Sequence, residues 1–288
     1  MRPALRPAAL LVAAAVAMCI SVWGCSSPNG RVSGHSEGPQ KDSITVVLSK
    51  YYSSQNYRKW LGRLHPSDGL PPLRFFQAYG ASEVVLTQEL SRASAVVLTG
   101  GEDIHPARYN QAADTVRCGR IDPERDRVEH VLLDHVLSTG VPCLGVCRGL
   151  QIMNVHGGGS LLPHLPDEGH VMHRGGQPGQ TSDTLHQVVV MAPWASGPTS
   201  FSRGDQASVV SHHHQGIGRL ATSFEAWAMS PDGLIEGIRH LDTLSLPFLV
   251  GVQWHPERSD SGLTLTDGLG RALLAAIEDR TSEGKGPH

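Results

Sequence analysis

Hydrophobic positions fall into short runs and helical stripes along the chain, and these set its plan. Ile44-Thr45-Val46-Val47-Leu48 is rich in β-branched residues and predicts a buried strand. Ala95-Val96-Val97-Leu98-Thr99 predicts another, stopped by Gly100-Gly101. Between residues 125 and 137, Val128, Val131, Leu132, Val136 and Leu137 recur at helical spacing, and Thr139-Gly140 ends that helix. Val141-Pro142-Cys143-Leu144-Gly145-Val146 predicts a third strand, followed by a helix over 150–155. Further strands are expected over 187–191 and 248–254, and a last helix over about 265–279. Strands alternating with helices imply an α/β domain with a mostly parallel central sheet covered on both faces. In such sheets ligands bind outside the carboxyl ends of the strands. The domain is expected over 43–280 without internal division, with a disordered tail over 281–288.

Ahead of the domain lies a different pattern. Arg2 and Arg6 precede an apolar stretch over 8–20, too short to span a bilayer and laid out like a secretory signal. Gly24-Cys25 resembles the junction of a bacterial lipoprotein cleavage box, although Val22 and Trp23 are unusual there. A lipoprotein signal peptide over 1–24 would leave Cys25 as the lipidated first residue; an ordinary signal peptide with an incidental Cys25 is the alternative. Residues 26–41 are rich in Ser, Gly and Pro and hold too little apolar surface to offset the entropy of ordering. A flexible tether over 25–42 follows from that composition. The expected location is extracytoplasmic, anchored to a bacterial membrane through Cys25 and facing the periplasm if the cell is Gram-negative.

Composition narrows the function. Among 288 residues, 24 Lys and Arg against 27 Asp and Glu give a net charge of −3. That balance argues against nucleic acid as a partner, because phosphate neutralisation calls for a basic excess. Five cysteines in a chain this long make no disulfide scaffold.

The chemistry concentrates at strand ends. Gly145-Val146-Cys147-Arg148-Gly149 places a cysteine between glycines where a strand gives way to a helix. The logic is that of a nucleophile elbow, and a thiol at a helix N-terminus is drawn towards thiolate. The alternative is a buried structural cysteine. Cys143, inside the apolar strand, reads as core, and Cys118, among charged residues, as a surface thiol. Gln253-Trp254-His255-Pro256-Glu257 closes a later strand, so His255 can serve a thiolate as proton partner and Glu257 can fix its tautomer. A zinc-deaminase reading of His-x-Glu with Pro-Cys fails on order and spacing, since Pro142-Cys143 lies far upstream and the next cysteine comes four residues later.

Several segments together resemble the class I glutamine amidotransferase-like superfamily, and within it the γ-glutamyl-γ-aminobutyrate hydrolases of the peptidase C26 family. They are Leu98-Thr99-Gly100-Gly101-Glu102-Asp103-Ile104-His105-Pro106 with Tyr109, Arg125-Asp126 with Glu129, the stretch 142–165 around Cys147, 211–215, 232–237 and 252–257. The resemblance implies a flavodoxin-like three-layer sandwich, with Cys147 as nucleophile, His255 as base and acid, and Glu257 orienting it. It also implies an oxyanion hole from the backbone N–H groups of Gly101 and Arg148, and substrate contacts from Gln151, Ser211 and His213. Arg125, Asp126 and Glu129 read either as a charged cluster beside Arg148 or as a solvated helix face. Val210 stands where the family usually has Asn, which removes a side-chain hydrogen bond and points to an altered amine preference. The run His212-His213-His214 could suggest a metal, but consecutive strand residues point to opposite faces, so no metal is expected and no cofactor is required.

No synthase domain fits in the chain, so hydrolysis of a small γ-glutamyl amide through a thioester is the preferred reading. A glutaminase of the amidotransferase type and a catalytically silent ligand-binding lipoprotein are the alternatives. The sequence sets no oligomeric state and leaves a homodimer open.

Overall fold

In the computed structural model, residues 43–66, 70–175, 182–259, 262 and 264–282 are described. The signal, Cys25 lipidation and tether expectations lie outside these residues. The elements follow one another as β1 (Ile44–Leu48), α1 (Asn56–Leu64), β2 (Leu73–Gln77), α2 (Glu83–Leu90), β3 (Ala93–Leu98), α3 (Pro123–Thr139), β4 (Cys143–Val146) and α4 (Arg148–His156). Then come β5 (Ser160–Leu162), β6 (Thr184–Val190), β7 (Trp194–Ser196), β8 (Thr199–Phe201), β9 (Gln206–Ser211) and β10 (Gly216–Arg219). Next are β11 (Phe224–Met229), β12 (Ile235–His240), β13 (Leu249–Val252) and α5 (Thr264–Ser282).

Among the described residues, nine strands form one sheet in the order β2-β1-β3-β4-β13-β12-β11-β6-β9. Pairing is parallel from β2 to β13 and antiparallel from β13 to β9. Of the parallel core, β1, β3, β4 and β13 are where the sequence pattern predicts strands; β2, α1 and α2 are not predicted, and the antiparallel wing extends the sheet. Side chains alternate across the sheet, so Val46 and Leu48 pack with α1 and α5 while Val47 packs with α2 and α3 on the other face. The result is the flavodoxin-like three-layer sandwich. No helix among the described residues is long and apolar enough to cross a membrane.

Two elements differ from expectation in instructive ways. Helix α3 starts at Asp122, which accepts from the Arg125 N–H at 3.2 Å, and stops at Gly140, whose φ of 67° suits a left-handed cap. Three of its five predicted apolar positions, Val128, Leu132 and Val136, are buried; Val131 and Leu137 are exposed, while Arg125, Asp126 and Glu129 are buried. The solvated-face reading of that cluster is therefore overturned. Helix α5 runs through Ser282, with Thr281 Oγ1 donating to the Ile277 carbonyl at 2.8 Å. Thr281 and Ser282 thus belong to the helix and not to a disordered tail.

Candidate active site

Parallel register brings the site together. Leu98 pairs with Gly145 across β3 and β4, and Val146 pairs with Val252 across β4 and β13. Each strand then ends at the same edge, so Gly100-Gly101, Cys147 and His255 emerge side by side. The ladder continues one step further, where the Cys147 N–H donates to the Val252 carbonyl at 2.7 Å.

Cys147 carries the strain of the elbow itself, with φ 53° and ψ −105°. A non-glycine residue held there costs on the order of 1–3 kcal/mol, which the surrounding structure must offset. The flanking glycines serve space and not dihedral freedom. A Cβ on Gly145 would meet the Gly149 carbonyl at 2.7 Å and Met153 Sδ at 2.8 Å, and one on Gly149 would collide with the Leu98 backbone. Helix α4 can therefore lie close against β3 and β4 and aim its N-terminus at the thiol.

His255 is 2% exposed, and its backbone N–H donates to the Val210 carbonyl at 2.8 Å. Its Nδ1 lies 2.8 Å from Glu257 Oε1, which leaves Nε2 as the nitrogen available for chemistry. Burial disfavours the imidazolium, but the Glu257 carboxylate and the Cys147 thiol outweigh it and raise His255 above its ordinary value of 6.5. A Cβ on Gly100 would lie 2.8 Å from His255 Cε1 and 3.6 Å from Cys147 Cβ, so this glycine makes room for the ring beside the thiol. Tyr57, which sequence reasoning missed, accepts from the Gly100 N–H at 2.8 Å and is buried beside both residues. Burial, and then the Glu257 charge, keep its phenol protonated well beyond the usual range.

A charged lattice braces the two backbone segments proposed from sequence as the oxyanion hole. The Arg125 guanidinium donates to the Thr99 carbonyl at 2.7 Å, the Gly100 carbonyl at 2.9 Å and Thr99 Oγ1 at 2.9 Å. It also pairs with Glu102 at 2.8 Å and Glu129 at 2.9 Å. The Arg148 side chain turns away from solvent to pair with Asp126 at 2.5 Å and with Glu129. One network therefore fixes both the Gly100-Gly101 loop and the residue that follows Cys147. Gly101, at φ 151°, passes so close to the Arg125 guanidinium that a side chain there would collide with it.

Two adjoining cavities of about 270 and 240 Å³ share Gly101, Cys147 and His212. The first is walled by Tyr51, Tyr52, Tyr57, His255 and Arg258, and the second by Gln151, Arg120, Arg174, Asp103 and His213. Cys147 thus stands at a junction with space on two sides.

The substrate residues expected from sequence fare differently. Gln151 lines the second cavity, although its Nε2 already donates to the Gln215 carbonyl at 3.0 Å. Ser211 is fully buried, lines neither of these two cavities, and donates to the His173 carbonyl at 2.7 Å. Val210 likewise lines neither of these two cavities and contributes its carbonyl to the His255 N–H. His212, His213 and His214 diverge as expected: His212 meets Asp183 at 3.0 Å, His213 turns inward, and His214 meets Asp103 at 2.9 Å. Cys143 is buried in β4, where burial pushes its thiol far up. Cys118 is half-buried beside Gln215 and not a surface thiol. His212 and Arg258 line the cavity but carry no sequence signal beyond neighbouring motif residues.

A sheet of this order with a strained cysteine elbow, facing histidine and carboxylate defines an enzyme of the class I glutamine amidotransferase-like type. The chain belongs to the peptidase C26 family, whose profile matches residues 72–257. Rv2859c of Mycobacterium tuberculosis, named as a candidate glutamine amidotransferase, is 39% identical over 189 residues. That alignment covers 62% of this chain and 56% of Rv2859c, so the chain spans little more than half of that relative. The γ-glutamyl-γ-aminobutyrate hydrolase PuuD of Escherichia coli K12 is 28% identical over 210 residues, covering 70% of this chain and 79% of PuuD. The crystal structure of a candidate GMP synthase component from Thermoplasma acidophilum superposes with a TM-score of 0.56 at 17% identity, covering 85% of this chain and 98% of that one. That last likeness concerns the fold alone.

Proposed function

We propose that the protein is a cysteine-dependent hydrolase of γ-glutamyl amide bonds. The observation that carries this reading is Cys147 on a strained elbow beside His255, whose Nδ1 is held by Glu257 at 2.8 Å. Cys147 Sγ attacks the γ-carbonyl carbon while His255 holds the thiol proton. The N–H groups of Gly101 and Arg148 donate to the developing oxyanion, an interaction worth about 10²–10³-fold per donor. Collapse breaks the C–N bond, and His255 gives its proton to the departing amine. Water, deprotonated by His255, then opens the thioester, releasing glutamate and restoring the thiol. No metal or organic cofactor enters these steps.

The two cavities suit an acyl half and an amine half. The second offers the Arg120 and Arg174 guanidiniums for an α-carboxylate and Asp103 for an α-ammonium group. The first offers three tyrosines to the leaving amine, a surface that tolerates several amine structures. A pocket built to bind both charged groups of the glutamyl head discriminates strongly against substrates that lack them, because its own polar groups lose their partners. The expected result is glutamate release from γ-glutamyl anilide and γ-glutamyl-γ-aminobutyrate at least about 10²-fold faster than from an α-glutamyl peptide. Equal rates on α- and γ-linked substrates would contradict the substrate class. Preferential turnover of free glutamine would instead favour the glutaminase reading.

The first 25 residues support export and lipidation at Cys25. On that reading Cys25→Ser moves the protein from the membrane fraction to the soluble one, as fractionation and intact mass would show. Unmodified Cys25 in a soluble wild-type protein would count against it.

A further inference from the structure

A second constellation lies behind the substrate wall. His173, from the segment before β6, His186 on β6, His213 just after β9 and Glu236 on β12 converge with their facing atoms all within 4.8 Å of one another. All four residues are at least nine-tenths buried. Glu236 Oε1 lies 3.2 Å from His173 Nδ1 and 3.5 Å from His213 Nε2, and Oε2 lies 3.8 Å from His186 Nε2. None of these facing atoms meets hydrogen-bond geometry.

The outward ring nitrogens each face an oxygen acceptor. His186 Nδ1 lies 3.0 Å from the Gln187 carbonyl and His213 Nδ1 2.9 Å from the Gln215 carbonyl. His173 Nε2 lies 3.0 Å from Asp232 Oδ2. Carbonyl and carboxylate oxygens only accept, so each outward nitrogen carries a hydrogen and the inward nitrogen is the one each ring can offer as a ligand. The three inward nitrogens surround the buried Glu236 carboxylate, and none of these atoms has a hydrogen-bond partner of good geometry. A divalent cation among them would satisfy all four groups at once.

We propose that His173, His186, His213 and Glu236 bind one Zn²⁺ ion. Three imidazoles and one carboxylate are a donor set suited to that ion. Bonds of the usual Zn–N and Zn–O length put tetrahedral ligand atoms about 3.3 Å apart, so the Glu236–His contacts of 3.2, 3.5 and 3.8 Å, with all facing atoms within 4.8 Å, need only a modest contraction around an ion. The Gln187 and Gln215 carbonyls and Asp232 are the outer partners that orient such ligands. Four protein ligands close the coordination sphere, so the site is structural. It ties the segment carrying the cavity residue Arg174 to the antiparallel wing, and it anchors the neighbour of His212. From the His212-His213-His214 run it takes only His213. Its other ligands lie on segments with no metal spacing, so the proposal departs from the sequence-based expectation of no metal for a reason that spacing could not reveal.

The test uses the untagged full chain, stripped with a chelator, reloaded with Zn²⁺ or Co²⁺ and dialysed. Elemental analysis should find one equivalent retained per chain, and the Co²⁺ form should show the intense visible bands of tetrahedral coordination. His186→Gln and Glu236→Gln should each retain at least about ten-fold less metal. His164→Gln, whose ring meets His214 at 3.1 Å outside the cluster, should retain as much as wild type. Reloading should also raise the thermal midpoint of wild type but not of the two ligand variants. A wild-type chain that retains no metal, a weak octahedral Co²⁺ spectrum, or equal retention by the ligand variants would overturn the proposal. If either ligand variant fails to fold, the wild-type stoichiometry and Co²⁺ spectrum decide it alone.

Discussion

Cys147→Ala should abolish turnover of γ-glutamyl amides, with kcat falling on the order of 10⁴-fold or more, while the fold persists. Removing the nucleophile of a unit that acts together leaves only binding and the oxyanion donors. Alanine keeps the Cβ that the elbow already accommodates and adds no bulk near Gly100 or His255. The φ of 53° costs alanine about what it costs cysteine, so stability should change little. Steady-state kinetics with a denaturation curve separates the two effects. Near wild-type turnover in Cys147→Ala would remove the catalytic assignment.

Arg125→Ala should have the largest effect on stability, about 3–5 kcal/mol. The guanidinium is fully buried and is the common partner of Glu102, Glu129 and the carbonyls of Thr99 and Gly100. Its loss leaves Glu102 to Lys50 and Tyr52 and Glu129 to Arg148 alone, and it removes the shared guanidinium donor from the Thr99 and Gly100 carbonyls, desolvation that an alanine does not recover. Burial alone would raise Glu102, but Lys50 and Arg125 hold its carboxyl far below the usual range, so Arg125→Ala leaves an ionised group with one of its two cations. The comparison is Arg127→Ala, which breaks an exposed pair with Glu124 at 2.7 Å and should cost no more than about 0.5 kcal/mol. Urea midpoints at constant slope measure both. A cost below about 1 kcal/mol for Arg125→Ala would show that the lattice does not brace the site.

The sequence made the parallel core legible because β1, β3 and β4 are buried on both faces and read as continuous apolar runs. The antiparallel wing was mostly silent. Only the Val188-Val189-Val190 end of β6 announced a strand, expected over 187–191, while its first half alternates buried and exposed positions with His186 at a buried one and gave no signal. Catalytic candidates were legible because Cys147, His255 and Glu257 sit in compact local motifs at strand ends. Tyr57 was not, since it acts through a loop more than forty residues away, and its helix offers only Tyr57, Trp60 and Leu61 as a buried face. The glycines around Cys147 clear space for α4, while the positive φ falls on the cysteine, a division of roles the elbow motif did not reveal. Helix α3 shows the same limit from the other side. Charged residues at its buried face look solvated in sequence, and only the facing arginine of another element makes them interior.

The central claim is a glutamyl thioester on Cys147, and rapid-quench intact-mass analysis during turnover of a γ-glutamyl amide tests it most directly. The account predicts a glutamyl-sized mass increase that maps to the peptide carrying Cys147, forms before glutamate accumulates, and is absent in Cys147→Ala. Glutamate release at full rate with no adduct at any quench time, or an adduct that persists in Cys147→Ala, would contradict it.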